Sequence, residues 1–180
     1  AAVQPALTLP AGCQLRLATL ADLETLLQLE RYCFSPWLAF GRACWRRRLH
    51  QPQAVWLVEH EAQVVAWLDL QPYTRWRQLV IRVLAVHWHW RRQGLGRQLL
   101  CWAEYRARQL GLTRLRLDVD CTNSAALALY RYAGFVRVRE LPDYYGIGRS
   151  GWRLMRELSS LPAEESEQAC FPSSPTTGAY

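Results

Sequence analysis

The residues most able to do chemistry in this sequence form a short corner, Arg91-Arg92-Gln93-Gly94-Leu95-Gly96. It lies between the apolar run LVIRVLAV and the helical run RQLLCWAEYRARQLG. A helix N-terminus leaves backbone N–H groups without partners, and the aligned peptide dipoles place partial positive charge there. Glycines at 94 and 96 remove Cβ atoms, so the backbone can approach an anion closely, and the arginines add charge. The corner reads as a pyrophosphate seat, with an ordinary tight turn as the alternative. Two better-known glycine motifs are excluded. The dinucleotide fingerprint G-x-G-x-x-G fails because Leu99 stands at its third glycine, and the P-loop needs a lysine the chain does not contain.

Other reactive side chains give weaker signals. Six cysteines, Cys13, Cys33, Cys44, Cys101, Cys121 and Cys170, form no C-x-x-C pair and have no histidine at ligand spacing. They read as free thiols of a reducing, cytoplasmic environment, and no metal site is expected. His87 and His89 alternate with Trp88 and Trp90 but lack a third ligand, so packing or surface roles are expected for them.

The elements that must position the corner follow from periodicity. CQLRLA reads as a strand, and Thr19 with Asp22 forms a capping pair for a helix through ADLETLLQLER. SPWLAFGRACWRRRLH reads as helical after Ser35-Pro36, with Arg46 to Arg48 on a solvated face. AVWLVEH and QVVAWLDLQP are two strands around a tight turn at Glu61-Ala62, followed by the longer strand RQLVIRVLAVH. The helix after the corner ends at Gly111. In TRLRLDVD, Leu115, Leu117 and Val119 share one face, while Arg116, Asp118 and Asp120 share the other. The helix NSAALALYRYAG and the strands FVRVREL and GWRLMREL complete a mixed α/β domain of about seven strands and about four helices. Residues 1–160 are expected to form one domain, and the Pro-, Ser-, Thr- and Glu-rich stretch 161–180 a disordered tail.

Composition bounds the partners. The net charge is +7, all 22 basic residues are arginine, and 51% of residues are hydrophobic. Those values fit a soluble globular protein that favours polyanionic partners such as nucleotide phosphates, ribosomal RNA or acidic peptides. No run reaches the roughly 20 apolar residues of a membrane span, and no signal peptide is expected. No helix-turn-helix, zinc-finger or ribonucleoprotein signature supports direct nucleic-acid binding.

What remains at the corner is R-x-x-G-x-G after a strand ending L-A-V, and there the sequence resembles the GNAT superfamily of N-acetyltransferases. Downstream, LRLDVDCTNSAALALYRYAGF is similar to the RimI-type alanine N-acetyltransferases, as are CFSPW at 33–37 and DYY at 143–145. The resemblance implies the GNAT fold, acetyl-CoA as co-substrate, and direct transfer in a ternary complex. The implied acceptor is a protein N-terminal amine, alanine first, as in the ribosomal protein that subfamily modifies; the molecule would be a monomer or weak dimer with no membrane contact. A lysine or small-molecule amine acceptor, or a non-catalytic acyl-CoA-binding domain, are the alternatives.

By the same resemblance, Leu84, Ala85 and Val86 would offer backbone groups to the pantetheine arm. Arg91, Arg92, Gln93, Gly94, Leu95, Gly96 and Arg97 would surround the pyrophosphate. Asn123 would hydrogen-bond the pantetheine, although it also suits a helix N-cap. Tyr130 would protonate the leaving thiolate; a core aromatic is its other reading. Asp118 falls where the subfamily carries a glutamate base, one methylene shorter here, and could instead be a solvated strand residue beside Arg116. Trp37 and Tyr144 would flank the acceptor.

Overall fold

A computed structural model describes residues 5–33 and 39–158. Seven strands form one sheet: β1 (Cys13–Leu17), β2 (Val55–His60), β3 (Gln63–Tyr73), β4 (Gln78–Val86), β5 (Arg114–Asp120), β6 (Val136–Leu141) and β7 (Gly151–Glu157). Their order is β1-β2-β3-β4-β5-β7-β6; β4 and β5 are parallel and every other neighbouring pair is antiparallel. Four helices complete the described part: α1 (Leu23–Cys33), α2 (Gly41–Leu49), α3 (Leu95–Gln109) and α4 (Ser124–Tyr132). This is the mixed α/β architecture expected from the sequence.

Two apolar layers sandwich the sheet. On one face, Leu95, Leu99, Trp102 and Ala103 of α3 and Tyr130 of α4 pack against Leu68, Leu79, Leu115 and Leu117. On the other, Leu26 of α1 and Trp45 of α2 cover Leu57, Trp67, Val83 and Ala85. The β2–β3 turn places Glu61 at φ 48° and Ala62 at φ 62°, both in the left-handed region that a tight two-residue hairpin turn requires. At the start of α1, Asp22 accepts the Thr19 N–H at 2.7 Å, as the capping pair predicts.

Two local expectations change. Ser35 and Pro36 lie outside the described residues, and the described helix α2 begins only at Gly41, after non-helical Ala39 and Phe40. Its free N–H groups are satisfied from another element: the buried Glu30 carboxylate of α1 accepts Phe40 N–H at 2.5 Å and Gly41 N–H at 3.3 Å. Arg46 and Arg47 are exposed as predicted, but Arg48 turns inward and is 4% exposed, because Asp69 of β3 waits beneath it.

The feature that positions the site is a bulge in β4. Leu70 pairs with Ile81 but Asp69 pairs with Val83, so Arg82 is an extra residue in the ladder. The alternation therefore switches: Leu79 and Ile81 face α3, whereas Val83 and Ala85 face α1 and α2. β4 and β5 pair over Gln78–Val80 with Arg114–Arg116 and no further. Beyond that point the two parallel strands splay, and a cleft opens in the middle of the sheet.

Candidate active site

Two cavities fill the splay. One, of about 340 Å³, lies between Ile81–Leu84 of β4 and Leu117–Asp120 of β5, with Tyr130, Tyr145 and Arg149 around it. The other, of about 760 Å³, follows Leu84, Ala85 and Val86 to the corner at Arg91, Arg92, Gly94, Leu95, Gly96 and Arg97, with α4 as its opposite wall. Cys33, Leu84 and Asn123 line both, so the cavities adjoin at those residues.

The corner has the properties of an anion seat. Gly94 is the residue before α3 and sits at φ 84°, a conformation that strains any residue with a Cβ. No side chain caps α3, and its first helical bond runs from Gln98 N–H to the Gly94 carbonyl. The N–H groups of the first turn are thus left for an external acceptor, with the arginines beside them. Arg91 Nε donates to the Val86 carbonyl at 3.2 Å and ties the corner to the end of β4. Gln93 does not line the cavity; its amide donates to the His89 carbonyl at 3.3 Å. The rings of His87 and His89 lie 5.6 Å apart, and no cluster of three or more His, Cys, Asp or Glu forms a metal-ligating group among the described residues.

Asn123 does both of the things its type allows. Its Oδ1 accepts Ala126 N–H at 3.1 Å as the cap of α4, which leaves its amide donors at the junction of the two cavities. The cap fixes the start of α4 and so aims Tyr130, seven residues on, into the smaller cavity. Tyr130 is 7% exposed, packs beside Phe135 at a ring separation of 5.7 Å, and burial pushes its phenol up to about 12. At neutral pH it is a fully protonated donor.

The carboxylates across from it are all paired. Arg153 of β7 holds Asp118 through two bonds, Nε–Oδ1 at 2.8 Å and Nη2–Oδ2 at 2.9 Å. Burial and then the Asp118 charge hold the Tyr144 phenol above its ordinary value. An ionised carboxylate has about four acceptor sites, so the two bonds from Arg153 leave others for an amine or a water. Asp120 accepts Thr122 N–H at 2.9 Å, Thr122 Oγ1 at 2.7 Å and Arg149 Nη2 at 2.5 Å. Burial raises its pKa, but the Thr122 and Arg149 donors outweigh burial and bring it below the ordinary value.

Tyr145 joins this wall: burial, then the Asp118 charge, push its phenol well up. Its ring lies so close to Gly151 that a Cβ there would meet Cε2 at 2.7 Å, so glycine at the head of β7 makes room for it. Sequence reasoning passed over Arg153, Arg149 and Arg82, and gave Tyr145 no role beyond the DYY match. The pairing of Asp118 with Arg153 depends on the antiparallel register of β5 and β7, and that of Arg82 on a bulge; neither has a local signature in sequence. Trp37 lies outside the described residues.

The chain is similar to known proteins. At 29% identity over 141 residues, the chain matches N-acetyltransferase family 8 member 3 of Rattus norvegicus, covering 69% of this chain and 59% of that protein. N-alpha-acetyltransferase 30 of Xenopus laevis is 35% identical over 91 residues, 51% of this chain and 33% of the relative. The chain thus matches only part of the length of these relatives. Among solved structures, the ribosomal-protein-S18-alanine N-acetyltransferase of Escherichia coli superposes with a TM-score of 0.72 at 20% identity, over 83% of this chain and 96% of that one. The model of the acetyltransferase (GNAT) family matches residues 20–135, a span that holds the bulge, the glycine corner and Tyr130. By that match, and by the splayed sheet that shapes its cleft, the chain belongs to the GNAT acetyltransferase family.

Proposed function

We propose that the protein is an acetyl-CoA-dependent N-acetyltransferase whose acceptor is the free α-amine of a protein N-terminus, alanine first, with a ribosomal protein as the substrate class. The observation that carries this reading is the junction of the two cavities. An anion seat at one end and a buried phenol at the other share the wall formed by Leu84 and Asn123. The N-alpha-acetyltransferase relative and the solved S18-alanine acetyltransferase support the choice of acceptor. Related folds have been solved with coenzyme A and with acetyl-CoA, which supports the co-substrate.

The residues present suit that co-substrate. It brings an activated acetyl thioester. The uncapped first turn of α3, Gly94 and Gly96, and Arg91, Arg92 and Arg97 hold its pyrophosphate, with Gln93 bracing the corner through His89. The open edge of β4 at Leu84–Val86 and the amide of Asn123 hold the arm that leads to the smaller cavity.

Tyr130 donates a hydrogen bond to the sulfur as it leaves. A phenol at about 12 lies roughly 3.5 units above a thiol near 8.5, so complete proton transfer is uphill by about 5 kcal/mol. Its role is to stabilise the developing thiolate by a hydrogen bond, and solvent completes the protonation. Asp118 accepts a hydrogen bond from the incoming amine at a site that Arg153 leaves free, and the proton that the nitrogen loses passes to solvent. An α-amine with a pKa near 8 is already about a tenth neutral at pH 7, so a carboxylate held by Arg153 is enough to orient it. Tyr144, beside Asp118, flanks the acceptor.

The Asp118–Arg153 pair also favours a second reading, a domain that binds acyl-CoA without turnover. Tandem mass spectrometry separates the two. A peptide with an N-terminal alanine and an internal lysine, incubated with enzyme and acetyl-CoA, is expected to gain one acetyl group on the N-terminal fragment. Acetyl on the lysine would overturn the choice of acceptor. An unmodified peptide together with tight acetyl-CoA binding would favour the domain without turnover.

A further inference from the structure

The bulge in β4 turns Arg82 out of the apolar layers and into the smaller cavity, where its side chain is 25% exposed. Its Nε reaches Asp69 Oδ2 at 3.3 Å, its guanidinium carbon lies 5.3 Å from the centre of the Phe40 ring, and its Nη2 approaches the Cys44 sulfur at 3.8 Å. Asp69 is already engaged. Arg48 donates Nε to both its oxygens at 2.9 and 3.1 Å and Nη2 to Oδ1 at 2.6 Å. Two guanidiniums therefore share one buried carboxylate.

The two carboxylates that line this cavity each have an arginine of their own, Asp118 with Arg153 and Asp120 with Arg149. Arg82 is the cation left over, and its Nη1 has no partner among the described residues. A cleft with low-dielectric walls strengthens the field of such a cation. Its Nη1 can give one charge-assisted hydrogen bond to a carboxylate oxygen.

We propose that Arg82 selects acceptors that carry a carboxylate close to the amine being acetylated. The inference rests on the α-amine reading above and narrows it. The carboxylate can belong to an acidic second residue of a protein N-terminus, or it can be the α-carboxylate of a small amino acid.

The test compares kcat/KM of the full chain for two peptides that differ at one atom pair, Ala-Glu-x and Ala-Gln-x, with free alanine and free glutamate as a third arm. The Glu peptide is expected to exceed the Gln peptide by about tenfold at low salt, as a charge-assisted bond that the amide cannot make. That ratio should shrink as ionic strength rises. In Arg82→Gln the ratio should fall to about one, and in Arg82→Lys it should lie between, since a lysine keeps the charge but cannot hold Asp69 and the ligand with separate nitrogens. A ratio is unaffected by a general loss of folded enzyme, so a destabilised variant still reports.

Equal rates on the two peptides in the unmodified enzyme, or a ratio that survives Arg82→Gln, would overturn the role of Arg82 and leave the α-amine reading intact. Acetylation of the free amino acids in preference to both peptides, abolished in Arg82→Gln, would keep Arg82 and overturn the protein N-terminus as acceptor. Failure of every α-amine acceptor, with a lysine or polyamine acetylated instead, would overturn both.

Discussion

Tyr130 and Asp118 face each other across the smaller cavity, and their environments divide the chemistry between them. Because burial holds the Tyr130 phenol at about 12, it gives no descending limb in the rate below about pH 10. The rate should instead follow the acceptor: kcat/KM is expected to rise between about pH 6 and 8 as an α-amine loses its proton, then stay level. A limb near 10.4 would mark a lysine acceptor. Tyr130→Phe removes the bond to the sulfur, and kcat should fall about 100-fold while calorimetry finds acetyl-CoA binding unchanged. Asp118→Asn weakens the hold on the amine and leaves Arg153 without its carboxylate, so KM for the acceptor should rise about tenfold. The positions of Tyr130, Asn123 and Asp118 were legible because each stands in a run of linked residues. The grip of Arg153 on Asp118 was not, since it joins residues 35 apart through strand register.

At the level of elements, the glycine corner and the β4 bulge do the positioning. The strand-corner-helix pattern was visible in the sequence because glycine, arginine and periodicity act locally. The bulge was not, because an extra residue in β4 is defined only against its partner β3. The described start of α2 was not legible for a similar reason: its first N–H groups are met by Glu30, on the preceding helix. Gly94→Ala forces a Cβ onto a residue at φ 84°, which costs about 1 kcal/mol and misdirects the N–H groups of the first turn of α3. The expected result is a rise of about tenfold in KM for acetyl-CoA, with kcat little changed; an unchanged KM would place the anion elsewhere.

Across the whole molecule, the abundance of arginine is used to pair nearly every buried acid. Arg48, Asp69 and Arg82 join α2, β3 and β4 in one buried cluster, which a sequence cannot reveal because only the sheet order and the bulge assemble it. Asp69→Asn strands two guanidiniums and should destabilise the fold by about 3–5 kcal/mol, read as a lowered midpoint in urea. Acid should act through other groups. Hydrogen bonds from Arg16 hold the Asp22 and Glu59 carboxyls below their ordinary values, against the opposing effect of burial. Groups depressed on folding contribute stability above their unfolded pKa values, near 4, and lose it as pH falls through the folded ones. The melting temperature should therefore be level down to about pH 4 and drop below it.

The claim on which the rest depends is that the cleft between β4 and β5 moves an acetyl group from acetyl-CoA to an N-terminal α-amine. Release of the CoA thiol, followed with an alanine-starting peptide and with the same peptide blocked at its N-terminus, tests it most directly. Thiol release with the free peptide, none with the blocked one, and a loss of about 100-fold in Tyr130→Phe is the predicted result. Equal release with both peptides, or release indifferent to Tyr130, would contradict it.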